Sequence, residues 1–408
     1  MKILIVHNRY KERTGEDAVF DRETKLLRAH GNQVNVWTVD NRDITTASSL
    51  DKIALAKSTI SSSQTKRDIY KNLCSITPDI VHVHNMLPLI SPSVFHACNQ
   101  ANVPVVHTLH NYRLVCPSNT LFRDGQICEK CISGSLLNSI RYSCYRDSRL
   151  QTAVVAAMLQ YHRWIKTWEN SVDGYIALSE FQREKILRLG IPRDKIYIKP
   201  NFIESIPPSK AKIEFGSYYL FAGRLIDEKG IYLLIEGYKK SESKYPLVIM
   251  GPGHLHSFVL KATSEDSRIQ YVGIQSKQQV LDWMRKAIAL LFPSIWFECS
   301  PMTILEAYSC SLPVVSTNLG AIPDMVKHKK TGFVTAQATA EEFSIAIQWI
   351  EQNLESWVSL KRDLSKYIDP IYFPSKNYQR IIETYKDVIS SANSENLKST
   401  STFATLVQ

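Results

Sequence analysis

The sequence lacks an apolar run of about 20 residues, the length needed to cross a bilayer, and it lacks a secretory signal. It also lacks aromatic RNA-binding motifs, zinc-finger patterns and helix-turn-helix cues, so its net charge of +10 does not indicate a nucleic-acid partner. We expect a cytoplasmic protein, soluble or peripheral at the inner face of the cell membrane. Its basic charge favours anionic lipid or phosphorylated ligands.

Length and patterning indicate two domains. The chain has 408 residues, of which 44% are apolar, enough to fill two cores. Strand and helix patterns alternate in both halves, which predicts parallel sheets and two Rossmann-like domains. We place an N-terminal domain at 1–203, with a cysteine-rich insertion at 112–146, a linker at 204–217, a second domain at 218–370 and a disordered polar tail at 391–408.

The most informative stretch is 293–307, where a buried strand is followed by a predicted helix start. Ser300 is predicted as the helix N-cap and Pro301 as the first helical residue. Such a start leaves backbone N–H groups free, and with the positive end of the helix dipole these favour a bound phosphate. The expected donors are the N–H groups of Met302, Thr303 and Ile304. The carboxylates of Glu298 and Glu306 can accept hydrogen bonds from hydroxyl groups. A nucleotide-sugar carries such hydroxyl groups on both sides of its diphosphate.

A second motif at 218–230 reads as a strand that ends at Gly223 and a loop that carries two cations. Arg224 can bind two phosphate oxygens at once and Lys229 adds a compact charge, so the pair suits a phosphate leaving group. An isolated pair of this kind is also compatible with an ordinary exposed loop.

Together these two motifs resemble glycosyltransferase family 4, whose members are retaining enzymes of the GT-B fold. The spacing Glu298-x7-Glu306 matches that family's donor motif, and the segment from Gly223 to Gly230 matches its diphosphate loop. The resemblance implies that Glu298 contacts hydroxyls of the donor sugar and Glu306 the ribose. It also implies that Arg224 and Lys229 bind the donor phosphates.

The resemblance extends along nearly the whole chain. It implies two domains that face a cleft and a helix at 371–390 that crosses back to the N-terminal domain. It places His110 by the donor sugar, Gly15 near phosphate and acceptor, and Gly251 and Gly253 close to the nucleotide. The segment 316–324 is expected to form a wall of the site. We expect His110, Glu298, Lys229 and Arg224 to carry catalysis.

Histidines cluster near the predicted strand ends. His82, His84 and His107 precede His110 in the chain, which suggests either a metal site or hydrogen-bonded core residues. No carboxylate pattern accompanies their spacing, so we favour the core interpretation. His84 and Asn85 are further candidates for the acceptor side.

Four of the eight cysteines, Cys116, Cys128, Cys131 and Cys144, form a C-x11-C-x2-C-x12-C array. This spacing can hold a structural zinc ion. Packing cysteines without a ligand are the nearest alternative, and disulfides are disfavoured in a reducing cytoplasm.

Residues 140–171 read as one long helix in which basic and aromatic residues alternate. Such a helix can lie on an anionic membrane surface. A domain helix with a solvated basic face fits the pattern equally well.

We therefore expect a retaining glycosyltransferase that moves a sugar from a UDP-, GDP- or dTDP-sugar to a saccharide, and we favour a lipid-linked one in surface polysaccharide assembly. By the resemblance, the departing phosphate helps to deprotonate the acceptor. No Asp-x-Asp metal motif is present, so we expect no cofactor for catalysis. A sugar-nucleotide epimerase of related fold and a non-catalytic scaffold with a vestigial donor site remain the alternatives.

Overall fold

The structure is a computed structural model that describes residues 1–44, 48–203 and 215–406, with side chains as far as residue 394. Most of the predicted linker at 204–217 lies outside these ranges. Within them, no helix combines the length and apolarity that a bilayer span requires.

The strands follow one another along the chain in two groups, and a short hairpin interrupts the first group between β4 and β7. Their bounds are β1 (Lys2–Arg9), β2 (Gln33–Asp40), β3 (Ile80–Val83), β4 (Val105–Leu109), β5 (Phe122–Arg123), β6 (Gln126–Ile127), β7 (Gly174–Ala177), β8 (Ile196–Ile198), β9 (Tyr219–Ala222), β10 (Leu247–Met250), β11 (Ile269–Tyr271), β12 (Leu290–Phe292), β13 (Val314–Ser316) and β14 (Gly332–Val334).

Two six-stranded sheets result, in the orders β2-β1-β3-β4-β7-β8 and β11-β10-β9-β12-β13-β14, and β5 pairs with β6. All neighbouring strands in both six-stranded sheets run parallel. Apart from the longer β1 and β2, the strands of these sheets are short, and most of their side chains are buried, as expected where helices cover both faces of a sheet. The prediction of two Rossmann-like parallel sheets is confirmed.

Helices connect the strands and cover the sheets. Their bounds are α1 (Gly15–Ala29), α2 (Ser49–Ile60), α3 (Ser63–Ile76), α4 (Ser93–Gln100), α5 (Leu137–Arg141), α6 (Arg149–Trp164), α7 (Thr167–Asn170), α8 (Glu180–Ile186), α9 (Ile231–Ser241), α10 (His256–Glu265), α11 (Lys277–Lys286), α12 (Met302–Ser309), α13 (Ile322–Met325), α14 (Ala340–Gln352), α15 (Leu354–Tyr367) and α16 (Pro374–Leu406).

The chain divides into two compact units. The first comprises Met1–Thr120, Glu129–Lys199 and Asn377–Gln408, and the second comprises Leu121–Cys128 and Pro200–Lys376. The last helix, α16, therefore belongs mainly to the first unit, where Ile381 and Tyr385 join a core that includes Ile3 and Phe20. A separate core fills the second unit on both faces of its sheet.

Two helical predictions differ from the structure. The helix predicted at 140–171 is three helices, α5, α6 and α7, because Ser143, Arg146 and Lys166 adopt left-handed backbone conformations that a continuous helix excludes. The last helix, α16, runs to Leu406, into the stretch predicted as a disordered tail. That stretch contains neither Gly nor Pro, so nothing in it interrupts a helix.

Candidate functional site

In the second unit, Glu298 is the centre of a compact polar cluster. Its Oε1 atom accepts hydrogen bonds from Ser294 Oγ and Trp296 Nε1, each at 2.8 Å, and lies 2.5 Å from Lys229 Nζ. The side chain of Glu298 is buried. Three donors on one oxygen fix the carboxylate and leave Oε2 as the oxygen for a ligand hydroxyl.

The backbone places Lys229 at this cluster. Lys229 ends a short 3-10 helix, Asp227–Lys229, and Gly230 follows with φ +68°. A Cβ atom on Gly230 would lie 2.0 Å from the Pro293 carbonyl oxygen, so only glycine allows the two loops to meet. The ammonium group also lies over the rings of Phe292 and Trp296, at 5.4 and 5.5 Å.

The start of α12 differs by one residue from the prediction. Pro301 occupies the N-cap position and makes no side-chain cap, and Met302 is the first helical residue. Ser300 is instead bound by Asn201, whose side-chain Nδ2 donates to the Ser300 carbonyl oxygen at 2.9 Å. The first-turn N–H groups, including those of Thr303 and Ile304, are thus left without a side-chain cap, as the phosphate interpretation requires.

Several predicted donor residues converge at the carboxyl ends of β9 and β12. Gly223, Lys229 and Thr303 line one small cavity there, the position at which open parallel sheets bind ligands. Arg224 is exposed and forms no hydrogen bond or ion pair with another residue in the described ranges. Glu306 is half-buried within α12.

Other glycines near this cluster hold loops together. A Cβ on Gly251 would lie 2.0 Å from the Gly223 carbonyl oxygen, and one on Gly253 would lie 2.1 Å from that of Leu225. Both glycines thus allow close backbone approach to the Arg224 loop, and their contact with the nucleotide stays a prediction. Gly320 similarly packs against the backbone of Glu298, within the segment predicted as a wall of the site.

A separate pocket lies in the first unit, around the ends of β3 and β4. Glu16 accepts hydrogen bonds from Tyr10 Oη at 2.9 Å and Asn111 Nδ2 at 2.7 Å. Burial raises the pKa of Glu16. This wall of the pocket offers hydroxyl, amide and carboxyl groups, the chemistry that binds sugar hydroxyls.

Other residues that line the pocket are cationic and aromatic. The guanidinium groups of Arg113 and Arg146 lie 5.0 and 5.3 Å from the centre of the Tyr145 ring. Among the residues that the structure describes, neither arginine pairs with a carboxylate. Both face the pocket and can bind an anionic group.

His110 lines the same pocket and connects to the interior. His84 Nδ1 lies 2.9 Å from His110 Nε2, and His84 Nε2 lies 3.2 Å from Glu23 Oε1. Glu23 Oε2 lies 2.6 Å from the ammonium group of Lys199, and both side chains are almost fully buried. The Lys199 ammonium and the nearby histidines hold the pKa of Glu23 well below its usual range despite its burial.

His82 and His107 behave as core residues, as predicted. His82 bonds to Thr108 Oγ1 at 2.6 Å and to Tyr385 Oη at 2.7 Å. His107 Nδ1 faces the Val83 carbonyl oxygen at 3.0 Å, and burial lowers its pKa to about 4.

One group of potential metal ligands converges within the described part of the chain, and it consists of Glu23, His82 and His84. The Lys199 ammonium already neutralises that carboxylate, so the group does not suit a cation. The four cysteines of the array are not in such a group: Cys116 and Cys131 are buried and Cys128 and Cys144 are half-buried. The structural zinc stays a prediction that metal analysis of the purified protein would test.

Gly15 starts α1 at an exposed position with no close neighbour for a Cβ atom. The first turn of α1 also carries Glu16 and Asp17. Asp17 is already bound by His7 and by the Thr14 backbone. Two carboxylates in this first turn disfavour a bound phosphate there. The contact of Gly15 with phosphate and acceptor stays a prediction.

We did not predict the buried Glu23–Lys199 pair or the partners of Glu298 from the sequence. Glu23 lies between Phe20 and Leu27 on the apolar face of α1, a position where a charged residue signals a buried partner. Nothing in the sequence near Lys199 identifies it as that partner, because the two are 176 residues apart.

Comparisons with known families cover most of the chain. The model for glycosyl transferases group 1 matches residues 202–368. The model for glycosyltransferase family 4 matches residues 19–205.

Curated relatives match over parts of the chain. The amylovoran biosynthesis glycosyltransferase AmsK of Erwinia amylovora is 23% identical over 43% of this chain and 47% of its own. The O-antigen chain mannosyltransferase B of Escherichia coli is 27% identical over 40% of this chain and 48% of its own. The chain thus spans about half the length of these relatives.

Solved structures match over almost the whole chain. Anabaena HepE in complex with UDP-glucose has a TM-score of 0.64 at 14% identity, over 95% of this chain and 100% of its own. Sucrose-phosphate synthase from Thermosynechococcus elongatus has a TM-score of 0.68 at 14% identity, over 96% of this chain and 100% of its own. At this identity the likeness establishes the fold.

Proposed function

Because the chain belongs to the group 1 glycosyltransferases of family 4, we propose that it is a retaining glycosyltransferase that takes a sugar from a nucleotide-sugar. The observation that carries this proposal is the cluster of Lys229, Glu298 and the uncapped start of α12 at the ends of the parallel strands β9 and β12. Such a cluster supplies the cation, the hydroxyl acceptor and the backbone donors that a sugar diphosphate needs.

The donor groups have separate roles in this proposal. Arg224 and Lys229 bind the diphosphate, together with the N–H groups of Thr303 and Ile304. Glu298 accepts hydrogen bonds from donor-sugar hydroxyls through Oε2, and Glu306 binds the ribose. Donors aimed at the departing phosphate stabilise the charge that develops there, which lowers the barrier to cleavage of the sugar–phosphate bond.

In the reaction, the bond from the anomeric carbon to the diphosphate oxygen breaks, and a bond to the acceptor oxygen forms on the same face. The acceptor proton passes to the departing phosphate. We propose a UDP-, GDP- or dTDP-sugar as donor. The structure of HepE with UDP-glucose supports a nucleotide-sugar of this class.

For the acceptor, we propose a lipid-linked saccharide in surface polysaccharide assembly. Glu16, Tyr10 and Asn111 suit sugar hydroxyls. The guanidinium groups of Arg146 and of Arg113, which also donates to the Pro117 carbonyl oxygen, suit a phosphate next to the sugar. Relatives named for amylovoran and O-antigen synthesis support the same class of product.

An exposed apolar surface on the first unit supports an anionic membrane as a further partner. Helix α2 packs against α6, and Leu50, Ile53, Leu150 and Trp164 on these helices are all at least 65% exposed. Exposed Lys52, Arg149 and Lys166 accompany them. Apolar side chains with cations around them favour the surface of an anionic leaflet.

The test is donor consumption by the purified protein, with UDP-, GDP- and dTDP-sugars offered together with extracted lipid-linked saccharides. The proposal expects one donor to be consumed, a glycosylated lipid by mass spectrometry, and the donor's anomeric configuration in the product by NMR. An inverted product would contradict the retaining mechanism. Release of an isomerised nucleotide-sugar without acceptor would indicate the epimerase, and failure to bind any nucleotide would indicate the scaffold.

A further inference from the structure

A chain of side chains links the buried Lys199–Glu23 ion pair to the pocket of the first unit. Lys199 Nζ lies 2.6 Å from Glu23 Oε2, and Glu23 Oε1 lies 3.2 Å from His84 Nε2. His84 Nδ1 then lies 2.9 Å from His110 Nε2 at the pocket. The first and last of these contacts are hydrogen bonds, whereas His84 Nε2 and Glu23 Oε1 approach each other without hydrogen-bond geometry.

The charge of Glu23 decides where the protons lie. Lys199 stands against this carboxylate and keeps it ionised, so Glu23 can only accept hydrogen bonds. His84 Nε2 lies 3.2 Å from this negative charge, which attracts an N–H group and repels a lone pair, so Nε2 carries the proton. Burial lowers the pKa of His84, so its ring is neutral and its Nδ1 has a lone pair.

The second histidine follows from the first. Since His84 Nδ1 can only accept, His110 Nε2 must donate and carries a proton. Burial also holds the pKa of His110 well below its usual range, so this ring is neutral too. Its Nδ1 is then unprotonated, and it bonds to no other residue in the described ranges.

We propose that Glu23, acting through His84, fixes the tautomer of His110, so that His110 Nδ1 accepts a hydrogen bond from a hydroxyl group of the saccharide in this pocket. Glu23 and His84 are positioning residues, and His110 is the group that touches the ligand. Only the identity of that ligand rests on the proposed function.

The surroundings are consistent with this arrangement. His7 of β1 is paired with Asp17 of α1 and stacks on Phe20 of the same helix. From β3, His82 bonds to Thr108 and to Tyr385 of α16, and its Nδ1 atom also lies 3.2 Å from Glu23 Oε1. Asn377 accepts a further hydrogen bond from Lys199 at 3.2 Å. No other charged group in the described part of the chain competes with His84 for His110.

The tautomers can be read directly from two-bond 15N–1H spectra of the full chain labelled at histidine nitrogen. His110 is expected to show a protonated Nε2 and an unprotonated Nδ1, with its signals assigned by His110→Asn. Two other histidines serve as internal references. His107 faces the Val83 carbonyl through Nδ1 and His162 faces the Ile60 carbonyl through Nε2, so they must carry protons on opposite nitrogens.

The variant Glu23→Gln tests the relay. The amide NH2 of glutamine can donate a hydrogen bond to His84 Nε2. His84 Nδ1 then carries the proton and donates to His110 Nε2, so the His110 proton moves to Nδ1. Because Lys199 loses its partner in this variant, Glu23→Gln/Lys199→Met is measured beside it to keep the interior neutral. A wild-type His110 with its proton on Nδ1, or an unchanged His110 tautomer in both folded variants, would overturn the proposal.

Substitutions at His110 test the hydrogen bond. Asparagine places its Oδ1 near the position of Nδ1, whereas glutamine places an acceptor near Nε2. Loss of one hydrogen bond corresponds to a rate effect of about tenfold, so His110→Asn should transfer sugar about tenfold faster than His110→Gln. Equal rates, or a faster His110→Gln, would overturn this assignment. The tautomer spectra need no substrate, so a protein without transferase activity would still give a decisive tautomer result.

Discussion

Lys229 and Glu298 form an ion pair within the second unit, with Nζ 2.5 Å from Oε1. The two residues are 69 positions apart in the chain, and the close approach of Gly230 to Pro293 brings their loops together. In the proposed donor site, one residue binds phosphate and the other binds sugar. Their ion pair therefore holds the phosphate-binding and sugar-binding side chains together before a ligand binds.

Lys229→Ala should weaken nucleotide binding by at least about tenfold, because it removes a phosphate ligand and frees Glu298. It should also lower the free energy of unfolding by about 1–3 kcal/mol, because a buried carboxylate loses a charged partner. Calorimetry with UDP, GDP and dTDP and chemical denaturation measure the two effects.

The matched control is Lys239→Ala, which removes a lysine at the surface of α9, half-buried and paired with exposed Glu265. It should change both quantities little, since exposed ion pairs contribute little. Equal nucleotide affinity in the two variants would remove Lys229 from the donor site.

Gly230→Ala should destabilise the second unit and weaken nucleotide binding together. The new Cβ would collide with the Pro293 carbonyl oxygen and displace Lys229. Gly31→Ala is the control, because Gly31 also has positive φ, +78°, but has open space around it. That control should cost only the conformational penalty of about 1–2 kcal/mol. If Gly230→Ala costs no more than Gly31→Ala, the contact with Pro293 does not position Lys229.

Stability should fall as the pH drops from about 6.5 towards 4. An unfolded histidine takes up a proton near pH 6.5, whereas burial lowers the pKa of folded His107 and His162 to about 4. Between these values the unfolded state binds more protons, so each residue removes about 1.4 kcal/mol of stability per pH unit. Chemical denaturation from pH 7 to pH 4 measures the slope, and His162→Gln should reduce it. A flat profile would mean that these histidines are charged in the folded state.

Trp164→Glu should reduce binding to vesicles of phosphatidylcholine with phosphatidylglycerol, because it places a negative charge on the exposed apolar surface of α6. Ile345→Glu is the control, since Ile345 is 52% exposed but lies on α14 of the second unit. Sedimentation with vesicles compares the two. Equal binding by both variants would show that the exposed apolar surface of α6 does not contact the vesicles.

The sequence predicted those features that depend on local pattern. The alternation of strand and helix patterns indicated two parallel sheets, and the Gly223–Gly230 motif indicated the loop that carries Arg224 and Lys229. The helix break near Ser143 was not predicted, because the residues with left-handed backbone there are not glycine. The sequence therefore contains no residue type that indicates the break.

Long-range pairing was the other limit. The partners of Glu23 were not predictable, because Lys199 and His84 reach it only once the sheet has formed. The one-residue shift at Pro301 has a similar origin, since Asn201 holds Ser300 from a distant part of the chain.

Calorimetric titration of the purified protein with UDP, GDP, ADP and dTDP is the first measurement to make, because it shows whether the second unit binds a nucleotide. Arg224→Ala is titrated beside it, because Arg224 is exposed and its loss should leave the fold intact. We expect saturable binding of one of UDP, GDP or dTDP, and an affinity at least about tenfold lower in the variant. No binding of any nucleotide, or equal binding by the variant, would contradict the proposed donor site.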